Sequence, residues 1–127
     1  VKRFMSMLVI IAVVSITLFG YSSSASADAK KTFWFTTGDG QWDGYMKVPS
    51  GGNVGVNITD WGSQDALKVR LCSAATGNCT AYKPIFNEPY GNSTHFTNMA
   101  FGLYYGDVAK LYGVNRQVTG RIILWRY

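Results

Sequence analysis

The chain has 127 residues, of which 47% are apolar and 15% aromatic, and twelve basic residues against seven acidic ones give a net charge of +5. That length supports one domain with a single modest core. The Lys and Arg residues are dispersed rather than gathered on one segment, which argues against nucleic acid as a partner, and two cysteines with one histidine are too few for a zinc site of the usual spacing.

Lys2 and Arg3 precede an almost wholly apolar run from Phe4 to Phe19, which gives way to the small residues Ser22-Ser23-Ser24-Ala25-Ser26-Ala27. A cationic start, an apolar core and an Ala-Ser-Ala end predict a helical secretory signal peptide over 1–27, cleaved before Asp28, with 28–127 as the exported domain. A retained anchor would need about 20 consecutive apolar residues, whereas this run is shorter and holds Ser15 and Thr17; the mature protein is therefore expected not to span a membrane. Val1 in place of methionine fits an alternative start codon and suggests a bacterial reading frame. Without Lys2 and Arg3, ten basic and seven acidic residues remain, a net +3. This mild bias favours anionic surfaces such as cell-wall polymers or acidic lipids.

After Asp28 no helical period is sustained, while alternation with period two recurs. Thr32 to Thr37 is β-branched and aromatic, and Gly38-Asp39-Gly40 turns the chain into a strand from Trp42 to Val48. Pro49-Ser50-Gly51-Gly52 is the next break. Val54, Val56 and Ile58 alternate with Gly55, Asn57 and Thr59, and Leu67, Val69 and Leu71 alternate with Lys68 and Arg70. Each pattern predicts a half-buried strand with one aliphatic face.

Cys72 and Cys79 flank a Thr76-Gly77-Asn78 turn, so in an exported protein they are expected to form a disulfide stapling a hairpin whose return strand runs from Cys79 to Lys83. Pro84 and Asn87 to Asn92 make a longer connection. Ser93 to Phe101 and Gly102 to Tyr105 read as strands separated at a glycine, and Val108 to Tyr112 as a further strand or one helical turn. Gln117 to Tyr127 is strongly β, with Ile122 and Leu124 facing one way and Arg121, Ile123, Trp125 and Tyr127 the other. Seven to nine short antiparallel strands with glycine-rich turns predict an all-β sandwich or jelly roll.

The run Trp42-Asp43-Gly44-Tyr45-Met46-Lys47-Val48-Pro49-Ser50-Gly51-Gly52-Asn53-Val54-Gly55-Val56-Asn57-Ile58 resembles the opening of bacterial pre-peptidase C-terminal type domains, with an aromatic strand, a Val-Pro-x-Gly turn and an alternating strand. Gly102 to Tyr105 and Thr119 to Leu124 are similar to that family's closing hairpin. The chain departs from the family in its middle strand, where Leu67-Lys68-Val69-Arg70-Leu71 replaces paired aspartates. The resemblance implies a secreted, jelly-roll-like module with an accessory or binding role and no catalysis.

Three groups of residues invite chemistry. Glu88 and His95, the only residues of their types, together with Arg121 or Arg126 would suit a small hydrolase or ribonuclease, where a carboxylate and an imidazole exchange protons beside a cation. Asp39 and Asp43, with Asp60 or Asp65, would offer oxygens to calcium, although the segment lacks the spacing of a calcium loop and reads equally as turn chemistry. Sixteen aromatic residues follow Asp28, more than a small core hides. Trp42, Trp61 and Tyr90 lie beside turns and are the expected ligand platform, since a ring on a solvated face suits sugars and headgroups.

The leading expectation is a secreted, non-catalytic β-sandwich that binds a cell-envelope or polysaccharide surface through exposed aromatics, without cofactor or metal. An antimicrobial or toxin-like protein acting on membranes or cell walls is the alternative from another class, and a small hydrolase built on Glu88 and His95 is the third.

Overall fold

The computed structural model describes residues 30–113 and 116–127; the leader expected over 1–27 lies outside them. Among the described residues there is no helix. Eight strands, β1 (Lys30–Thr36), β2 (Tyr45–Val48), β3 (Gly52–Thr59), β4 (Leu67–Ser73), β5 (Lys83–Ile85), β6 (Ser93–Met99), β7 (Gly102–Lys110) and β8 (Thr119–Arg126), make an all-β sandwich. One sheet has the order β1-β8-β3-β6 and the other β2-β7-β4-β5, with every pairing antiparallel.

The alternating sequences decide which side of each sheet is buried. Val54, Val56 and Ile58 of β3, Leu67, Val69 and Leu71 of β4, and Ile122 and Leu124 of β8 are at most 1% exposed and fill the space between the sheets with Met46, Val48, Ile85 and Phe96. Burying each such side chain contributes about 1.5–3 kcal/mol. The residues between them lie on the outer faces, as the period of two requires, where Gly55 is covered by the Trp125 ring.

The expected disulfide is present between Cys72 and Cys79, but the return strand is displaced. Cys79 makes one isolated bridge with Cys72, and pairing with β4 resumes only at β5, where Lys83, Pro84 and Ile85 oppose Val69, Lys68 and Leu67. Thr80 instead caps the strand, its hydroxyl accepting from the Leu71 N–H. Pro84 is accommodated because β5 is an edge strand, whose outer side needs no ladder donor. The expected strand from Trp42 begins only at Tyr45, because Asp43 and Gly44 both pair with Gly106 of β7 and the regular ladder starts at Tyr45 opposite Tyr105. Gly102 to Lys110 is one strand rather than two. Gly106 does not interrupt it: a Cβ there would lie 3.2 Å from the Asp43 carbonyl oxygen, so the glycine admits the Asp43-Gly44 backbone, which exchanges hydrogen bonds of 2.8 and 2.9 Å with it.

Candidate functional site

Strand register sets out the outer face of the β1-β8-β3-β6 sheet in rows. Lys30, Trp125, Gly55 and His95 stand side by side across four strands. Thr32, Ile123, Asn57 and Ser93 make the next row, and Trp34, Arg121 and Thr59 the third. Nothing in the described structure covers this face. Trp34 is 69% and Tyr127 59% exposed, and the rows carrying Trp125 and Trp34 are roughly 14 Å apart from strand rise alone.

The first row is built around a missing side chain. A Cβ on Gly55 would lie 2.1 Å from Cε2 and Cζ2 of Trp125, so the indole rests on the β3 backbone, where only glycine leaves room. His95 meets Trp125 edge-on, with ring centroids 5.9 Å apart at 90°. Its Nδ1 is 2.9 Å from the Tyr127 hydroxyl, and the two rings are also edge-to-face. Lys83 donates to the His95 carbonyl. The Asn57 amide nitrogen donates to Ser93 Oγ at 2.7 Å and to the Asn92 carbonyl at 3.4 Å, which fixes the plane of its side chain. A shallow depression beside this row is lined by Lys30, Asn57, Ile123, Trp125 and Arg126. In the third row the Arg121 guanidinium lies 5.2 Å from the Trp34 ring centre and is paired with Asp60.

The opposite outer face, on β2-β7-β4-β5, holds its groups differently. Arg70 Nε donates to Asp107 Oδ2 at 2.8 Å and the Tyr82 hydroxyl to the same oxygen at 2.9 Å, while Lys68 and Arg70 both sit over the Tyr82 ring. Partial burial and then the Asp107 hydrogen bond push the Tyr82 hydroxyl up from its usual pKa. Beside this network is a cavity lined by Asp39, Gln41, Trp42, Asp43 and Asp107 among others. Asp43 is 3% exposed, and its Oδ2 accepts the Val108 N–H at 2.7 Å. Burial raises its pKa to about 7, against the lowering effect of that hydrogen bond and with small additions from Asp39 and Asp107.

The three aromatics expected to form the platform are not brought together by any described ring contact or shared cavity. Trp42 is 53% exposed and stacks on Tyr105, centroids 5.3 Å apart at 11°. Trp61 packs against the core. Tyr90 stands wholly exposed in the turn after β5, lining a separate shallow depression with Glu88, Pro89 and Gly91. The candidate acid-base residues each have another partner: Glu88 folds its side chain over Gly91, His95 meets Tyr127, and Arg121 is held by Asp60. The candidate calcium ligands are likewise engaged, Asp39 by the Gln41 N–H, Asp43 by Val108, Asp60 by Arg121 and Asp65 by Ser63, Lys110 and Arg116. Among the described residues no group of three or more His, Cys, Asp or Glu is placed to hold a metal.

Trp125, Gly55, Asn57 and Lys30 were not singled out from the sequence as site residues. The available signal was the outward set on the last strand, together with a lone glycine inside an alternating one, a mark of close approach.

No family model matches the chain, and no curated protein matches it in sequence. Among solved structures it is similar in fold to Aeromonas hydrophila PliG, a periplasmic lysozyme inhibitor of g-type lysozyme, with a TM-score of 0.54 and 15% identity over 81% of this chain and 90% of that one. A fainter likeness, TM-score 0.46 and 12% identity over 83% of this chain and 99% of that one, is to PirA.

Proposed function

We propose that the protein is a secreted, non-catalytic binding protein that holds a polysaccharide of the cell envelope on the outer face of the β1-β8-β3-β6 sheet. The observation that carries this reading is that Trp34, Ile123, Trp125 and Tyr127 lie on one uncovered face with Lys30 and Arg121. Aromatic rings supply flat apolar platforms with polar edges, and the cations and amides around them supply orientation. Trp42 and Tyr90, exposed elsewhere, are proposed as lesser contacts. The export signal expected over 1–27 and the resemblance to accessory secreted modules agree with a role outside the cytoplasm.

Retention of the purified protein on insoluble cell walls tests the reading. Ile123→Glu places a carboxylate in the middle of the face without touching the core, and it should abolish most of the retention. Retention that is absent from the start, or indifferent to Ile123→Glu, would sink the proposal.

A second reading comes from the fold shared with PliG, which inhibits an enzyme: the same face would then take a protein. Inhibition of a g-type lysozyme by the purified protein, with no retention on cell walls, is the outcome that would favour it.

A further inference from the structure

The depression beside Trp125 has a narrower chemistry than the face as a whole. The indole is seated on Gly55 and steadied at its edge by His95, so its orientation is set before any ligand arrives, which reduces the ordering cost of binding. Lys30, opposite Trp125 in the first row, lines the depression. Among the described residues no carboxylate pairs with it, whereas Arg121 farther along the face is tied to Asp60. Among the described residues no carboxylate lines the depression, and Lys30 gives it a positive charge. Asn57, its amide nitrogen committed to Ser93 and Asn92, has a carbonyl oxygen that no described group uses.

We propose that this depression is a subsite for one anionic sugar residue of an extracellular polysaccharide, with Trp125 against the ring face, Lys30 on its acidic group, and the Asn57 carbonyl accepting from a hydroxyl. The proposal rests on the binding reading above and names its ligand class. The acidic group is a carboxylate, sulfate or phosphate, each of which a lysine ammonium holds by charge-assisted hydrogen bonds. A ring platform next to a cation selects against two simpler ligands: a neutral glycan lacks the charge, and an acidic polypeptide lacks the flat saccharide face.

Titration of the purified protein, in the form in which the cell exports it, with polygalacturonate, dextran sulfate, neutral dextran and poly-glutamate separates these cases. One or both acidic polysaccharides should bind at least roughly tenfold more tightly than dextran and poly-glutamate, with the carboxylated and sulfated probes identifying the acidic group. Trp125→Ala should weaken that binding roughly tenfold, the size of one aromatic contact. Lys30→Gln alters no packed ring and should bring acidic and neutral polysaccharides to similar affinity, which keeps the test decisive if Trp125→Ala does not fold. If neither acidic polysaccharide binds more tightly than poly-glutamate, or neither more tightly than dextran, the subsite is overturned. If neither acidic polysaccharide binds while retention on cell walls still depends on Ile123, the subsite falls and the binding reading stands. If that retention is absent as well, both fall.

Discussion

The two outer faces of the sandwich carry similar residues to different ends. On β2-β7-β4-β5, Asp107 takes hydrogen bonds from both Arg70 and Tyr82, the Tyr82 ring lies under Lys68 and Arg70, and Trp42 lies flat on Tyr105. On β1-β8-β3-β6, Trp34 and Tyr127 project into water and no described carboxylate engages Lys30. Composition alone would not separate the faces. What separates them is whether the charges and rings are already satisfied within the fold, because only unsatisfied groups retain binding energy for a partner.

If the β1-β8-β3-β6 face is dispensable to folding, stability should change sharply across a single strand. Leu124 is fully buried and its neighbour Ile123 faces outward. Leu124→Ala should cost about 3 kcal/mol or more, as burial is lost and a cavity left. Ile123→Ala should cost less than about 1 kcal/mol. Urea unfolding of both variants measures the contrast, and similar losses would mean that the outer face also supports the fold.

The next effect belongs to the opposite sheet, where Asp43 is buried behind the polar network. Its pKa is raised from 3.8 to about 7 in the folded protein, so the native state holds the proton more tightly than the unfolded chain. The resulting stabilisation is complete below about pH 4 and is lost as pH rises through about 7. At roughly 1.4 kcal/mol per pH unit, this group should lower stability by about 2–3 kcal/mol between pH 5 and pH 8. Asp43→Asn keeps an oxygen for the Val108 N–H but cannot ionise, so its stability should be nearly flat over that interval. Urea midpoints at the two pH values decide the matter, and an unchanged slope in the variant would assign the titration elsewhere.

Asp107→Asn attacks the comparison directly by loosening the closed face. Arg70 and Asp107 are partly exposed, at 34% and 23% of their side chains, so the loss should be modest, about 1 kcal/mol. Alkaline titration of the phenol absorbance should find Tyr82 nearer its ordinary value once the carboxylate is gone. The freed Arg70 should also give this face a weak affinity for polyanions that the parent protein lacks. Were polyanion binding unchanged, charge satisfaction would not be what distinguishes the two faces.

Much of this arrangement was legible along the chain wherever it depends on one strand at a time. The alternations over Val54 to Ile58, Leu67 to Leu71 and Ile122 to Tyr127 named the buried and outward residues, and the turn at Gly77 located the disulfide. Pairing between distant strands was not legible. Lys30, Gly55, His95 and Trp125 are far apart in sequence and meet only through the register of β1, β8, β3 and β6, so the first row of the site had no local signature. The same limit explains Gly106: read locally it breaks a strand, and only the Asp43-Gly44 backbone lying across β7 shows why a glycine stands there. Trp61 lies next to a turn, yet its large ring packs on the core, because burial follows what the neighbouring strands leave uncovered.

The smallest effect is expected at the hydroxyl of Tyr127, and it examines whether the open face is ordered in advance of a ligand. Both Tyr127 and His95 are exposed, so their 2.9 Å contact exchanges readily with hydrogen bonds to water. Tyr127→Phe should therefore change stability by less than about 0.5 kcal/mol. The ring remains to meet His95 edge-on, but the partner of Nδ1 is lost. In the neutral imidazole, a tyrosine hydroxyl donating to Nδ1 holds the proton on Nε2. Nitrogen chemical shifts of His95 should accordingly show an Nε2–H tautomer in the parent and a more mixed population in the variant. Identical tautomer populations in both would mean that the Tyr127 hydroxyl does not orient His95, and the edge support under Trp125 would then come from ring packing alone.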